Sequence, residues 1–232
     1  MKFAIISAGE GSRLAQEGVT YPKPLVPLQG TPIIERLIKI FAGHNAESIN
    51  IIINSRQPET EALLHKLSKE YPVNIVVKDT PSSMHSLYEL RHLLRGGKFC
   101  LTTVDTIFNE EEFAAYLQQF EESCFDGIMA VTPYIDDEKP LYIGTDSSMN
   151  ITGFYDAPHP DSQYISGGIY GLNEIALDTL EHCIEQGQAR MRNFQRQLVS
   201  DGLKLQAFPF GKIIDIDHAT DIEKAEKLIS EK

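Results

Sequence analysis

Short apolar runs alternate with amphipathic stretches between positions 3 and 131, and that alternation constrains the fold more than any other feature. Residues 3–8, 49–53, 73–77, 99–104 and 126–131 are brief and rich in apolar side chains, the pattern of buried strands. Between them, 32–41 carries Ile33, Ile34, Leu37, Ile38 and Phe41 at helical spacing. Residues 59–69, with Leu63, Leu64 and Leu67, 83–94, with Leu87, Leu90, Leu93 and Leu94, and 110–120 also read as helices. Strand and helix repeated in this way predict an α/β chain in three layers, with helices on both faces of a mostly parallel, Rossmann-like sheet. In such sheets ligands lie beyond the carboxyl ends of the strands. The loops after Ser7, Ile53, Val77 and Val104 are therefore the informative ones.

The alternation breaks after Val131. Residues 134–153, rich in Asp, Gly and Pro, predict irregular hairpins; 164–172 and 203–208 predict strands; 174–186, 190–199 and 220–230 predict helices. No linker, low-complexity tract or repeat interrupts the 232 residues, so a single domain over 1–232 is expected. A formal net charge of −12 argues against nucleic acid and anionic membrane as partners. No apolar run approaches the ~20 residues that span a bilayer, and the start is too quickly polar for a signal peptide. Cys100, Cys124 and Cys183 have no paired spacing; three core thiols and a cytoplasmic location are expected.

The first loop reads Ala8-Gly9-Glu10-Gly11-Ser12-Arg13-Leu14. Its two glycines allow a sharp turn that offers backbone N–H groups to a phosphate chain, and Arg13 adds a fork of donors. Leu14 stands where a dinucleotide fingerprint needs its third glycine, and the spacing of a P-loop is absent. Ten residues on, Lys23 lies between Pro22 and Pro24. The prolines stiffen the segment, so the lysine is a positioned point charge.

These residues, with the Pro22-Lys23-Pro24-Leu25 run and the following Leu28-Gln29-Gly30-Thr31-Pro32-Ile33-Ile34, resemble the signature of the sugar-1-phosphate nucleotidyltransferases. Thr103-Val104-Asp105, Ser166-Gly167-Gly168-Ile169-Tyr170 and the 214–221 segment Ile-Asp-Ile-Asp-His-Ala-Thr-Asp resemble further family motifs in the family's order. The resemblance implies transfer of a nucleoside monophosphate from a nucleoside triphosphate to a phosphorylated small molecule, with Mg2+ and release of pyrophosphate. It implies a nucleotide-binding half over 1–131 and an acceptor-binding half over 132–232. Ala8, Gly9, Gly11, Ser12 and Arg13 would hold the phosphates, Asn54 and Ser83 (or His85) the nucleoside. Arg13, Lys23 and Asp105 would be catalytic. Asp105 would bind the metal with Asp215, Asp217 or both, although the latter two also suit a cap before the last helix. Gly168, Tyr142 and Tyr155 would meet the acceptor.

One departure bears on the acceptor. Sugar-phosphate members commonly carry Glu-Lys-Pro after the strand that here reads Ile151-Thr152-Gly153-Phe154, and Ala157 replaces that lysine. Lys139, Arg190, Arg192 or the metal would then hold the acceptor phosphate. A cytidylyltransferase acting on phosphocholine or a similar alcohol phosphate is the rival within the class. A catalytically silent, nucleotide-binding regulatory subunit is the rival outside it; such a subunit would be expected to lose Arg13, Lys23, Asp105 or Asp215, and all are present. No acyltransferase or repeat domain is expected to accompany this one, and a homo-oligomer stays open.

Overall fold

The computed structural model describes residues 1–9, 11–136 and 138–230. In chain order the first half contains β1 (Lys2–Ser7), α1 (Ser12–Gln16), a single 3-10 turn at Lys23–Leu25, β2 (Pro27–Leu28), β3 (Thr31–Pro32), α2 (Ile33–Gly43), β4 (Ser48–Ile53), α3 (Pro58–Leu67), β5 (Val73–Val77), α4 (Ser83–Leu94), β6 (Phe99–Thr103), β7 (Thr106–Phe108), α5 (Glu110–Glu122) and β8 (Gly127–Thr132). The second half contains β9 (Tyr142–Thr145), β10 (Ile151–Tyr155), β11 (Tyr164–Leu172), α6 (Ala176–Glu185), α7 (Met191–Ser200), β12 (Leu205–Pro209), β13 (Ile213–Asp215) and α8 (Ala219–Ser230).

The main sheet runs β5-β4-β1-β6-β11-β8-β12, with β9 attached along the first residues of β11 and β10 paired to β9. The β5-β4-β1-β6 segment and the β8·β12 pair are parallel, whereas β11 runs antiparallel to β6, β8 and β9. The expected α/β class with a mainly parallel central sheet is thus borne out. Strand order reverses about β1: β4 lies on one side and β6 on the other. That reversal opens a crevice at the carboxyl ends of β1 and β6, which is where ligands bind in open α/β sheets.

Successive side chains of a strand point to opposite faces, and β1 shows the consequence. Ala4 and Ile6 enter a core shared with α4, α6 and α7, including Leu87, Leu177 and Phe194. Phe3 and Ile5 enter a second core with α2, α3 and α5, including Leu37, Leu64 and Phe113. Helix starts follow from local chemistry. The Asn109 side chain accepts from the N–H groups of Glu111 and Glu112, and three glutamates fill the first turn of α5, where the helix dipole favours them. No helix among the described residues is long and apolar enough to cross a membrane.

Two expectations change. The 134–153 stretch is more regular than predicted: β9 and β10 form an antiparallel pair turned by Asp146, whose carboxylate accepts from Ser148 N, Asn150 N and Asn150 Nδ2. Cys100 and Cys183 are buried, but Cys124 is exposed, because it falls in the connection between α5 and β8.

Candidate active site

The crevice holds a cavity of about 490 Å³, lined by Gly9, Gly11, Ser12, Arg13, Lys23 and Asp105 together with Asp79, Ser82 and Ser83. Gly11 adopts φ 62°, in the left-handed region, and a Cβ on it would come within 3.0 Å of Lys23 Cβ. Both facts call for glycine. Lys23 opens the 3-10 turn between its two prolines, and Pro24 is buried, so the lysine backbone is fixed.

The short ribbon of β7 and β13 brings distant carboxylates to that lysine. Asp215 is in register with Thr106, and Ile216 N donates to Asp105 O at 3.1 Å. Asp221 caps the start of α8 by accepting from Asp217 N (3.2 Å) and His218 N (2.8 Å). Glu17, just after α1, accepts from Ala219 N at 2.7 Å and bonds His218 Nδ1 at 2.6 Å. The carboxyl-terminal segment is thereby tied to the glycine loop.

The Lys23 ammonium bonds both Asp105 and Asp217, the latter at 2.8 Å. Arg13 meets the other Asp217 oxygen at 3.1 Å. Burial works against the Lys23 charge, but Asp105 and then Asp217 outweigh it and hold the ammonium above its ordinary pKa. Partial burial likewise opposes the Asp217 charge, yet Lys23, then Arg13 and His218, hold its carboxyl below the usual range. Asp215 is different. Water reaches it, but crowding by protein atoms and then repulsion from Asp105 push its pKa up to about 7, against a Thr106 hydrogen bond and Lys23.

A second cavity of about 200 Å³ adjoins the first and shares Arg13 and Asp217 with it. Residues of the second half form most of its lining, including Tyr134, Asp136, Ser166, Gly167 and Asp215. Gly168, at φ 73°, stands beside it against Thr106.

The other expected residues lie as follows. Ala8 and Ser83 line the larger cavity. Asn54 is buried behind the glycine loop, outside that lining, and its amide donates to the carbonyls of Ala8 and Gly9. His85 Nδ1 bonds Ser82 Oγ at 2.9 Å, and Ser82 caps α4. Tyr142 and Tyr155 lie on β9 and β10 outside both linings; the Tyr155 ring packs over Gly144 and Gly153 and stacks on His159 at 4.1 Å. Arg192 is bonded to Asp156 and to the Lys139 carbonyl, and it shares an open hollow with Arg190 and Arg196. Asp79, Ser82 and Gln57 were not expected at the site. Ser82 and Gln57 had a local signal, since each immediately precedes a helix start.

Known proteins share the sequence and the fold of this chain in part. The chain is 31% identical over 192 residues to a mannose-1-phosphate guanyltransferase of Schizosaccharomyces pombe, covering 78% of this chain and 52% of that one. It is 26% identical over 127 residues to a 2-aminoethylphosphonate cytidylyltransferase of Lancefieldella rimae, covering 53% and 49%. The chain spans about half the length of the curated relatives it matches. Among solved structures, the inositol-1-phosphate CTP transferase from T. maritima superimposes with a TM-score of 0.82 at 16% identity, covering 99% of this chain and 96% of that one. The pattern of the nucleotidyl transferase family matches residues 2–231, and the chain belongs to that family.

Proposed function

We propose that this protein transfers a nucleoside monophosphate from a nucleoside triphosphate to a small phosphorylated acceptor, with a sugar 1-phosphate as the leading acceptor class. One observation carries the reading: Arg13, Lys23, Asp105 and Asp217 converge at the mouth of the glycine loop, where two cavities meet. A phosphate oxygen of the acceptor attacks the α-phosphorus; that P–O bond forms as the bond to the β-phosphate oxygen breaks, and pyrophosphate leaves. Positioning and charge neutralisation dominate such a reaction. The backbone of Gly9, Gly11 and Ser12 holds the phosphate chain, Arg13 takes the leaving pyrophosphate, and Lys23 neutralises charge on the α-phosphoryl oxygens.

Magnesium fits the same corner. Among the described residues no group of three or more His, Cys, Asp or Glu side chains could hold a metal unaided. Mg2+, however, is often bound by one or two carboxylates with substrate phosphates and water completing the shell. Asp105 and Asp217 already share a cation, the Lys23 ammonium, and Asp215 lies beside them. These carboxylates would hold the ion, which when bound neutralises phosphate charge.

A second reading concerns the acceptor. The smaller cavity is lined by Asp136, Glu138, Asp215, Asp217 and Asp221 against Arg13 and Lys224. Such a surface suits an acceptor with an ammonium group, such as an aminoalkyl phosphate or phosphonate, and Ala157 supplies no lysine for a sugar phosphate. The test is a pyrophosphate-release screen of the common nucleoside triphosphates against sugar 1-phosphates, phosphocholine and 2-aminoethylphosphonate. Release with a sugar 1-phosphate supports the first reading and release with the amines the second. No release with any pair refutes both.

A further inference from the structure

We infer that Asn54 and Gln57 are positioning residues that hold the glycine loop in its phosphate-receiving shape. The inference rests on the proposed role of that loop as a phosphate cradle. A backbone cradle for anions must turn its N–H groups inward and its carbonyls outward, since an inward carbonyl oxygen would repel phosphate. Carbonyls turned toward the protein interior need donors there.

Two side-chain amides supply them. Asn54 Nδ2 donates to Ala8 O at 3.1 Å and to Gly9 O at 3.2 Å. Gln57 Nε2 donates to Gly9 O at 3.1 Å. Both residues are buried, at 3% and 6% exposure, whereas Gly9 is exposed on the cavity side. Among the described residues no peptide bond is cis. In a trans peptide the N–H points opposite to the carbonyl, so anchoring Ala8 O fixes the direction of the Gly9 N–H.

The anchors are themselves rigid. Asn54 immediately follows β4, and its Oδ1 accepts from Arg56 N at 2.9 Å, which turns its nitrogen toward the loop. Gln57 is the residue before α3, and Pro58 restricts its backbone. β4 and α3 are built into the core on the β1 side. Gly9 and Gly11 have no side chains to fix the backbone, and the helix that follows Gly11 has only five residues. Phosphate-binding geometry is therefore supplied from the neighbouring strand–helix connection.

The test uses inorganic tripolyphosphate, which carries no base, sugar or acceptor. Calorimetry compares the full chain with Gln57→Leu, which removes the donor at similar volume, and Gln57→Glu, which sets a carboxylate against the Gly9 carbonyl. The expected result is binding weakened about three- to tenfold in Gln57→Leu and more in Gln57→Glu. In Gln57→Leu the KM for the triphosphate should rise in parallel, with the acceptor KM unchanged and the Tm near that of the unaltered chain; Gln57→Glu, which buries an unpaired charge, should also lower the Tm. Unchanged tripolyphosphate affinity in both variants would overturn the inference, as would a fall in Tm accompanied by equal rises in both KM values. Failure of the unaltered chain to bind tripolyphosphate would overturn the cradle and the clamp together. Binding that weakens as expected, in a chain that releases no pyrophosphate, would sink the transfer reading alone.

Discussion

Lys23 shows how much one side chain contributes when its backbone is fixed. Its prolines set the turn, its Cβ abuts Gly11, and its ammonium sits where Asp105 and Asp217 meet. Lys23→Ala is expected to lower turnover at least tenfold, with circular dichroism and Tm showing an intact fold. Near-normal turnover would remove Lys23 from the catalytic set. Asp105→Asn keeps the shape but discards the charge. Activity should be lost together with the saturable response to magnesium, read as initial rate against metal concentration; an active variant with an unaltered response would refute the role. The Asn54 amide points at loop carbonyls rather than into the cavity, the geometry on which its inferred positioning role rests.

Elements position the site only where they pack closely, and β11 is the tightest case. A Cβ added at Gly171 would lie 2.8 Å from both Phe120 Cδ1 and Tyr116 Oη, rings buried at the heart of α5. Gly171→Ala should therefore destabilise by about 1–3 kcal/mol through overpacking, measurable as a lower urea midpoint; unchanged stability would show that α5 shifts freely. At the edge of the sheet, Asp156 ties the end of β10 to α7 through Arg196 and Arg192. Those two guanidiniums, Arg196 first, hold its carboxyl below the ordinary 3.8. With a folded pKa lower than the unfolded one, the contribution is present above the unfolded value and disappears as pH falls through the folded one. Asp156→Asn should lower the Tm at neutral pH, and the difference should shrink under acid conditions and in high salt. A difference independent of pH would mean that the ion pair is not its source.

Over the whole molecule, a net charge of −12 opposes the polyanionic substrate that the proposed reaction requires. The fold concentrates Arg13 and Lys23 at the strand ends about which the sheet order reverses, beside the carboxylates of Asp105 and Asp217. If the native state alone binds triphosphate, ligand at a hundredfold excess over its Kd adds about 2.7 kcal/mol of stability. For a domain of this size that raises the Tm by roughly 5–10 °C. Differential scanning fluorimetry with magnesium and each triphosphate should show the shift for the nucleotide that the proposed reaction uses; no shift with any of them would count against the proposed nucleotide site.

The alternation of strands and helices, the glycine loop, the stiffened Lys23 and the acidic positions 105, 215 and 217 are legible in the order of residues alone. Periodicity, turn chemistry and proline stiffness act over a few residues, so they can be read without a fold. Which of the two late aspartates meets Lys23 depends on long-range packing. The partner is Asp217, 194 positions away, delivered by the β7–β13 ribbon and the Asp221 cap. Such packing also places Tyr142 and Tyr155 outside the cavities and sets Asn54 and Gln57 behind the loop. A hydrogen bond of about 3 Å between segments far apart in the chain depends on the packing of every element between them, and no local pattern encodes it.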